Sequence, residues 1–167
     1  ADYLKGLEIT IKQALVKAAK ADQRFSADQI VGIGVDTTGS TPIPVDENGT
    51  PLAMLKKFKG NPNAAVWLWK DHTGYAEAAQ ITELARQEHP EYLAKCGGIY
   101  SSEWFFSKVL HCLRVDRKVY DAAATWVEHA DWIPAVLTGT DHPSRIKRCR
   151  CAAGHKAMFS DAWGGYP

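Results

Sequence analysis

Near its start the chain repeats apolar residues at the spacing of an α-helix. Leu4, Leu7 and Ile11 follow one another at intervals of three and four residues, while Lys5 and Lys12 fall outside this spacing. This spacing places apolar side chains on one face of a helix and leaves the charged ones to water. The pattern predicts an amphipathic helix over residues 2–20, with Asp2 as its N-terminal cap.

After this helix the pattern becomes extended. Residues 30–36 read Ile-Val-Gly-Ile-Gly-Val-Asp, which is typical of a buried strand. A second extended segment is predicted at residues 43–46. Asn48-Gly49 then marks a hairpin turn, because both residues adopt positive φ at low cost. Residues 51–58 are predicted to be the return strand.

The rest of the chain is mainly helical in pattern. Helical spacing recurs in four segments: residues 66–86, the stretch after Ser101-Ser102, residues 117–124, and the stretch from Asp131 to Gly139. Strands followed by several helices indicate an α/β layered domain.

Composition and charge restrict the class of protein. Of the 167 residues, 46% are hydrophobic and 23% are charged, as in ordinary globular domains. The net charge of +1 argues against nucleic acid or an anionic membrane as the main partner. No apolar run approaches the ~20 residues that cross a bilayer. The N-terminal residues show no signal-peptide pattern, so a cytoplasmic location is expected.

The most informative loop is Asp36-Thr-Thr-Gly-Ser-Thr41, which follows the predicted strand at residues 30–36. Open α/β sheets place ligands beyond the carboxyl ends of their strands. Hydroxyl groups and a glycine at position 39 suit a polyhydroxylated substrate. A simple turn of small polar residues is the alternative that spacing alone favours.

Two other features resemble known binding motifs and do not match them. Gly32 and Gly34 lack the third glycine and the following helix of a dinucleotide-binding fingerprint, and the chain has no phosphate-binding P-loop motif. Cys149, Cys151 and His155 do not have the spacing of a zinc site. Buried thiols and a surface histidine are expected instead.

Several large or charged side chains have both a structural and a binding interpretation. Trp67, Trp69 and Trp104 could stack on a sugar, but their helical surroundings favour core packing. Lys156 lies in an apolar stretch, where a lone lysine needs a polar partner or a ligand. Glu103, at a predicted helix start, could be a simple capping carboxylate.

Taken in order, five segments resemble consecutive blocks of the bacterial ribulokinases, which are FGGY-type carbohydrate kinases. The segments are Gly34–Pro42, Trp67–His72, Gly97–Trp104, Asp131–Ile133 and Ala153–Ala157. The Ser-Ser-Glu-Trp and Gly-His-Lys-Ala sequences within them favour ribulokinases over glycerol or xylulose kinases. The resemblance runs from about residue 5 to the end of the chain.

The resemblance implies an α/β fold of the ribonuclease H-like, actin-like ATPase type, with a mixed sheet and several helices. Residues 1–167 would form a single incomplete domain, the sugar-binding N-terminal one, lacking its first strands and followed by no nucleotide domain. Loss of those strands would expose a sheet edge, so a homo-oligomer is an open expectation.

The resemblance also implies the reaction of the full enzyme. With ATP and Mg²⁺ as cofactors, it would transfer the γ-phosphoryl group to O5 of L-ribulose, a step of arabinose catabolism that depends on positioning and charge stabilisation. The aspartate that acts as general base would lie beyond Pro167. The chain alone is therefore expected to bind neither cofactor and to be inactive.

Five residues match sugar-contacting positions of the family. Gly39 and Ser40 would face the sugar, and Glu103 would accept hydrogen bonds from its hydroxyl groups. Lys156 would donate to ribulose oxygens, and Asp71 lies in a Trp-x-Asp block that lines the same region. A kinase for another ketopentose and a non-catalytic carbohydrate-binding module remain open as alternatives.

Overall fold

The computed structural model describes residues 2–166, which divide into two compact units on either side of the Val35-Asp36 bond. The first unit contains helix α1 (Asp2–Ala21) and a 3₁₀ turn at Ala27–Gln29. The predicted N-terminal helix is confirmed. Asp2 is its first residue, so its carboxylate lies in the first turn, where it interacts favourably with the helix dipole.

The strand predicted at residues 30–36 is wrong. These residues form an extended coil without ladder hydrogen bonds, Val31 is fully exposed, and Ile33 is 63% exposed. A strand needs a neighbour for its backbone N–H and C=O groups. No segment among residues 2–166 provides one here, so the apolar pattern is present without the structure it predicts.

The second unit is built on a two-stranded antiparallel sheet. Strand β1 (Pro42–Val45) pairs with β2 (Thr125–Glu128), with Ile43 opposite Val127. All four residues of β1 are buried. The extended segment predicted at residues 43–46 is therefore confirmed in its main part, whereas the sequence pattern gave no indication of β2.

A turn forms after β1 at the predicted position, with positive φ at Gly49 but not at Asn48, and the return strand does not form. Gly49 has a φ of +83°, and a side chain there would collide with the carbonyl of Asp141. Beyond a single bridge at Pro51, the chain turns into two 3₁₀ segments, Leu52–Met54 and Lys56–Phe58. Proline cannot donate to a sheet ladder, which disfavours a regular strand at that position.

Five further helices complete the second unit as described. They are α2 (Tyr75–Glu88), α3 (Phe105–Val115), α4 (Arg117–Ala122), α5 (His129–Leu137) and α6 (Arg150–His155). Four of them match predicted segments, but α2 begins well after residue 66, where turns occupy the chain. Helix α5 begins before Asp131, so that carboxylate is not its cap and accepts a hydrogen bond from Cys149 N at 2.8 Å instead.

The described residues thus form a mixed α/β structure with six helices and a small sheet. Trp67 packs in a cluster with Leu52, Cys112 and Val119, as expected of a core residue, whereas Trp69 is about half exposed. Within residues 2–166, no helix combines the length and apolar character needed to cross a bilayer.

Candidate functional site

A cavity of about 250 Å³ opens beside the loop at residues 38–40. Its lining residues come from four segments of the second unit. They are Thr38, Gly39, Ser40, Trp69, Glu103, Trp104 and His155. Three predicted site residues, Gly39, Ser40 and Glu103, therefore lie together. Hydroxyl, carboxylate and aromatic groups around one cavity are a combination that suits a polyhydroxylated ligand.

Ser40 fixes the shape of the loop. Its φ of 53° lies in the left-handed region that residues other than glycine rarely adopt. The side chain is buried, and its Oγ donates to the carbonyl oxygen of His155 at 2.6 Å. The Ser40 hydroxyl is thus engaged within the protein, where it joins the loop to the C-terminal end of α6.

Gly39 allows the loop to approach the imidazole of His155. A Cβ added at Gly39 would lie 2.5 Å from His155 Cγ, well inside van der Waals contact. A larger residue would displace the ring, which itself lines the cavity. The glycine predicted to make room for a ligand thus makes room first for a neighbouring side chain.

Glu103 brings a partly exposed carboxylate to the cavity. Its Oε1 lies 3.3 Å from Nε2 of His72, and Nδ1 of the same ring lies 2.9 Å from Ser102 Oγ. Its side chain is 38% exposed, so the carboxylate remains accessible to a ligand. The Glu103 side chain therefore does not act only as a helix cap, and in the structure Trp104 occupies the cap position of α3.

Asp71 does not line this cavity. Its Oδ1 accepts hydrogen bonds from the backbone N of Thr73 at 2.9 Å and from Thr73 Oγ1 at 2.5 Å, which closes a local turn. Its negative charge favours the protonated form of Lys108. The structure therefore shows a local and an electrostatic role for Asp71.

Lys156 lies in a second cavity of about 380 Å³. Its Nζ is 4.9 Å from the ring centroid of Phe105 and 5.7 Å from that of Tyr166, and the residue is 6% exposed. No described residue hydrogen bonds to this ammonium group. Burial lowers the pKa of Lys156, while the carboxylates of Glu128 and Asp131 act in the opposite direction. Four of the five predicted sugar-contacting residues therefore line two separate cavities, three of them the first cavity and Lys156 the second.

Two buried carboxyl groups influence Lys156, and neither was predicted to belong to a site. Glu128 Oε2 accepts a hydrogen bond from Thr41 N at 2.9 Å, and Asp131 Oδ1 accepts one from Cys149 N. The other oxygen of each group, Oε1 of Glu128 and Oδ2 of Asp131, has no hydrogen-bond partner within the described structure. Burial raises the pKa of both carboxyl groups.

Lys108 lies behind the lining residues of the first cavity, and the sequence did not reveal its role. It is fully buried on α3, and its Nζ donates to the carbonyl oxygens of Ser40 and Leu68 at 2.7 Å each and of Trp69 at 3.2 Å. Burial lowers its pKa to about 8. Two of these carbonyl groups belong to residues that line the cavity.

Other sequence expectations are corrected by the structure. Cys149 and Cys151 are exposed, so the expectation of buried thiols is wrong for this pair. Asp36 lies in exposed coil and not at the end of a buried strand. Across residues 2–166, no cluster of three or more His, Cys, Asp or Glu side chains is arranged to hold a metal ion.

The chain is similar over its whole length to bacterial ribulokinases. It is 50% identical to the ribulokinase of Vibrio parahaemolyticus, 41% identical to that of Bacillus licheniformis and 37% identical to that of Mycolicibacterium smegmatis. These alignments cover 99–100% of this chain and 28–29% of the relatives, so the chain spans less than a third of their length. No family model matches the chain. The resemblance expected from the five motif blocks is confirmed.

Proposed function

We propose that this chain, similar along its whole length to bacterial ribulokinases, supplies sugar-binding surface to an ATP-dependent kinase that converts L-ribulose to L-ribulose 5-phosphate in arabinose catabolism. The observation that carries the proposal is 50% identity with a ribulokinase over 167 residues. The cavity beside residues 38–40 supports it independently, because its lining groups suit a polyhydroxylated ligand.

Glu103 has the clearest role in the proposed complex. Its accessible carboxylate would accept hydrogen bonds from two sugar hydroxyl groups, and charge-assisted bonds of this kind are stronger than neutral ones. The exposed ring of Trp69 and the neighbouring Trp104 would cover apolar C–H faces of the sugar. The backbone of Gly39 would lie within reach of a further hydroxyl.

Lys156 would contact the same ligand from the second cavity. Its ammonium group is buried and has no hydrogen-bond acceptor among the described residues, so a sugar oxygen would relieve an unsatisfied donor. His155 lines one cavity and Lys156 lines the other. Their adjacency in the chain supports a single ligand that touches both.

The residues present do not fit ATP or Mg²⁺. The sequence contains no phosphate-binding loop motif, and no acidic cluster suited to a metal is found in residues 2–166. We therefore assign sugar binding, and no step of phosphoryl transfer, to this chain. In the proposed enzyme, other parts of a longer kinase bind the nucleotide and the metal and supply the general base. We propose a cytoplasmic location for this enzyme.

Isothermal titration calorimetry of the chain with a panel of sugars tests this proposal. We expect L-ribulose to bind more tightly than D-xylulose, L-arabinose or glycerol. Preference for a different ketopentose would indicate a kinase for that sugar. Absence of heat with L-ribulose at millimolar concentration would contradict the proposal.

A further inference from the structure

Lys108 is a fully buried lysine without a carboxylate bonded to it. Burying an ammonium group is costly unless its donors are matched, and lysine has three donors and no acceptor. Three backbone carbonyl oxygens lie within 2.7–3.2 Å of Nζ, one for each donor. The protein has therefore built a complete acceptor set for a charged group in its interior.

The three acceptors belong to two separate segments of the chain. Ser40 is part of the strained loop that forms one wall of the 250 Å³ cavity, and Trp69 forms another wall. Helix α3 carries Lys108 between them. A single ammonium group thus joins the two walls, although no hydrogen bond is found between the loop at residues 38–40 and residues 68–69 themselves.

We propose that Lys108 is a positioning residue that sets the separation of the Ser40 and Trp69 walls and so determines the affinity of the cavity for its sugar. It does not touch the ligand, since its donors are engaged with carbonyl groups. This inference rests on the proposed function, because it takes the cavity to be a sugar site.

The arrangement makes the affinity of the cavity for its sugar sensitive to pH. Three carboxylates, Asp71, Glu128 and Glu103, favour the charged form of Lys108, but burial outweighs them and lowers its pKa to about 8. The neutral amine has only two N–H donors for three carbonyl groups. As pH rises through this pKa, one acceptor loses its partner and the walls are held less firmly.

A rise in pH changes the contribution of Lys108 to folding stability in the opposite direction from its effect on sugar binding. Because the folded pKa lies below the usual 10.5, the unfolded chain binds more protons between these two values. The contribution of Lys108 to stability therefore rises with pH in that window. Weaker sugar binding at alkaline pH would thus not be a consequence of unfolding through this residue.

The test compares L-ribulose binding by the unmodified chain, by Lys108→Met and by Lys70→Met. Methionine keeps an unbranched apolar side chain without charge or donors. Lys70 is an exposed lysine beside Trp69, so Lys70→Met removes the same charge from a position that is not buried. We expect Lys108→Met to bind at least about tenfold more weakly, as loss of a charge-assisted network implies, and Lys70→Met to bind normally. Circular dichroism establishes that each variant is folded.

A pH series makes the test independent of whether Lys108→Met folds. Titrations of the unmodified chain from about pH 7 to about pH 9.5 should show affinity falling through the Lys108 pKa. A fall relative to its own weaker binding at about pH 7 should persist in Lys156→Met, which removes the other buried lysine, a proposed sugar contact. A flat profile, or a fall abolished by Lys156→Met, would overturn the role of Lys108.

The remaining outcomes separate this inference from the function on which it rests. Normal binding by a folded Lys108→Met variant would overturn the positioning role and leave sugar binding intact. Failure of the unmodified chain to bind L-ribulose would overturn both.

Discussion

Gly39 shows how a single small residue can shape a cavity through the position of a neighbouring side chain. The space that a side chain would need is filled by the imidazole of His155. The sequence indicated a glycine where close approach was required, but which group approaches it depends on residues far along the chain. Pattern analysis cannot supply such long-range contacts, because periodicity reports only local structure.

Replacing Gly39 by valine should therefore weaken sugar binding by displacing His155 into the cavity. Overpacking a filled site costs folding stability about 1–3 kcal/mol, and we expect a loss of binding free energy of similar size. Calorimetry with L-ribulose measures it, and Gly34→Val is a suitable control because an added Cβ at Gly34 meets nothing within 4 Å and its φ is not in the left-handed region. An unchanged affinity in Gly39→Val would show that the His155 ring does not limit the site.

Lys156 and Lys108 show two different environments for a buried lysine. Both are buried, but Lys108 has three carbonyl acceptors and Lys156 has aromatic rings and no described acceptor. Lys156 stood out in the sequence as a lone lysine in an apolar stretch and by its match to a family motif. Lys108 did not stand out, although it lies three positions after Phe105 and four before Cys112, on the buried face of α3.

Lys156→Met in a longer kinase containing this chain should lower kcat/KM for L-ribulose by an amount equivalent to about 1.5–3 kcal/mol, the value of a charge-assisted hydrogen bond. Methionine retains the packing against Phe105 and Tyr166 while removing the donor. Lys147→Met, at an exposed lysine, is the matched control. If kcat/KM is unaffected, Lys156 does not belong to the sugar site.

Among the secondary-structure elements, those with strong local signals were predictable and those that depend on distant partners were not. Helix α1, helix α4 and the turn at Gly49 formed as their sequences indicate. The run at residues 30–36 has the composition of a strand but no neighbouring strand within the described residues. Strand β2 has only four residues and owes its existence to pairing with β1.

Helices α2 and α3 are joined by an ion pair whose carboxylate, Glu77, is buried, and this makes their packing sensitive to acid. Glu77 Oε1 accepts from Arg114 at 3.1 Å and Oε2 lies 3.0 Å from His111 Nδ1. Burial by itself would raise the pKa of Glu77, but hydrogen bonds from the backbone, Arg114 and His111 outweigh it and lower the pKa. This contribution to stability is present above the unfolded pKa of Glu77 and is lost as pH falls through the folded one.

Glu77→Gln should lower the free energy of unfolding by about 1–3 kcal/mol, because it leaves Arg114 without its charged partner. Urea unfolding near neutral pH measures the change, with Glu88→Gln on the exposed side of α2 as the control. The difference between Glu77→Gln and the unmodified chain should shrink as pH is lowered. Equal urea midpoints for the two at neutral pH would refute this assignment.

At the scale of the whole molecule, the function proposed for the chain is sugar binding without phosphoryl transfer. The similarity to ribulokinases covers the chain, yet only 28–29% of the relatives. An actin-like fold remains a prediction, since the described sheet has two strands. A domain of that type depends on strand pairing over long sequence distances, which neither local pattern nor composition determines.

A coupled assay should therefore detect no ATP-dependent phosphorylation of L-ribulose by the chain alone. The expected rate is that of the assay without protein, because positioning a sugar does not supply the electrostatic stabilisation of the transferred phosphoryl group. A full-length ribulokinase such as that of Vibrio parahaemolyticus serves as the positive control. Turnover above background that scales with the amount of chain would contradict this expectation.

The most direct test of the central claim is to locate bound sugar on the chain. In ¹⁵N-labelled protein titrated with L-ribulose, we expect saturable shifts of the backbone amide signals of Gly39, Ser40, Glu103 and Lys156. Signals from helix α4, which does not line either cavity, should remain in place. Shifts confined to residues away from both cavities, or no saturable shift at all, would contradict the assignment of this chain as a sugar-binding part of a ribulokinase.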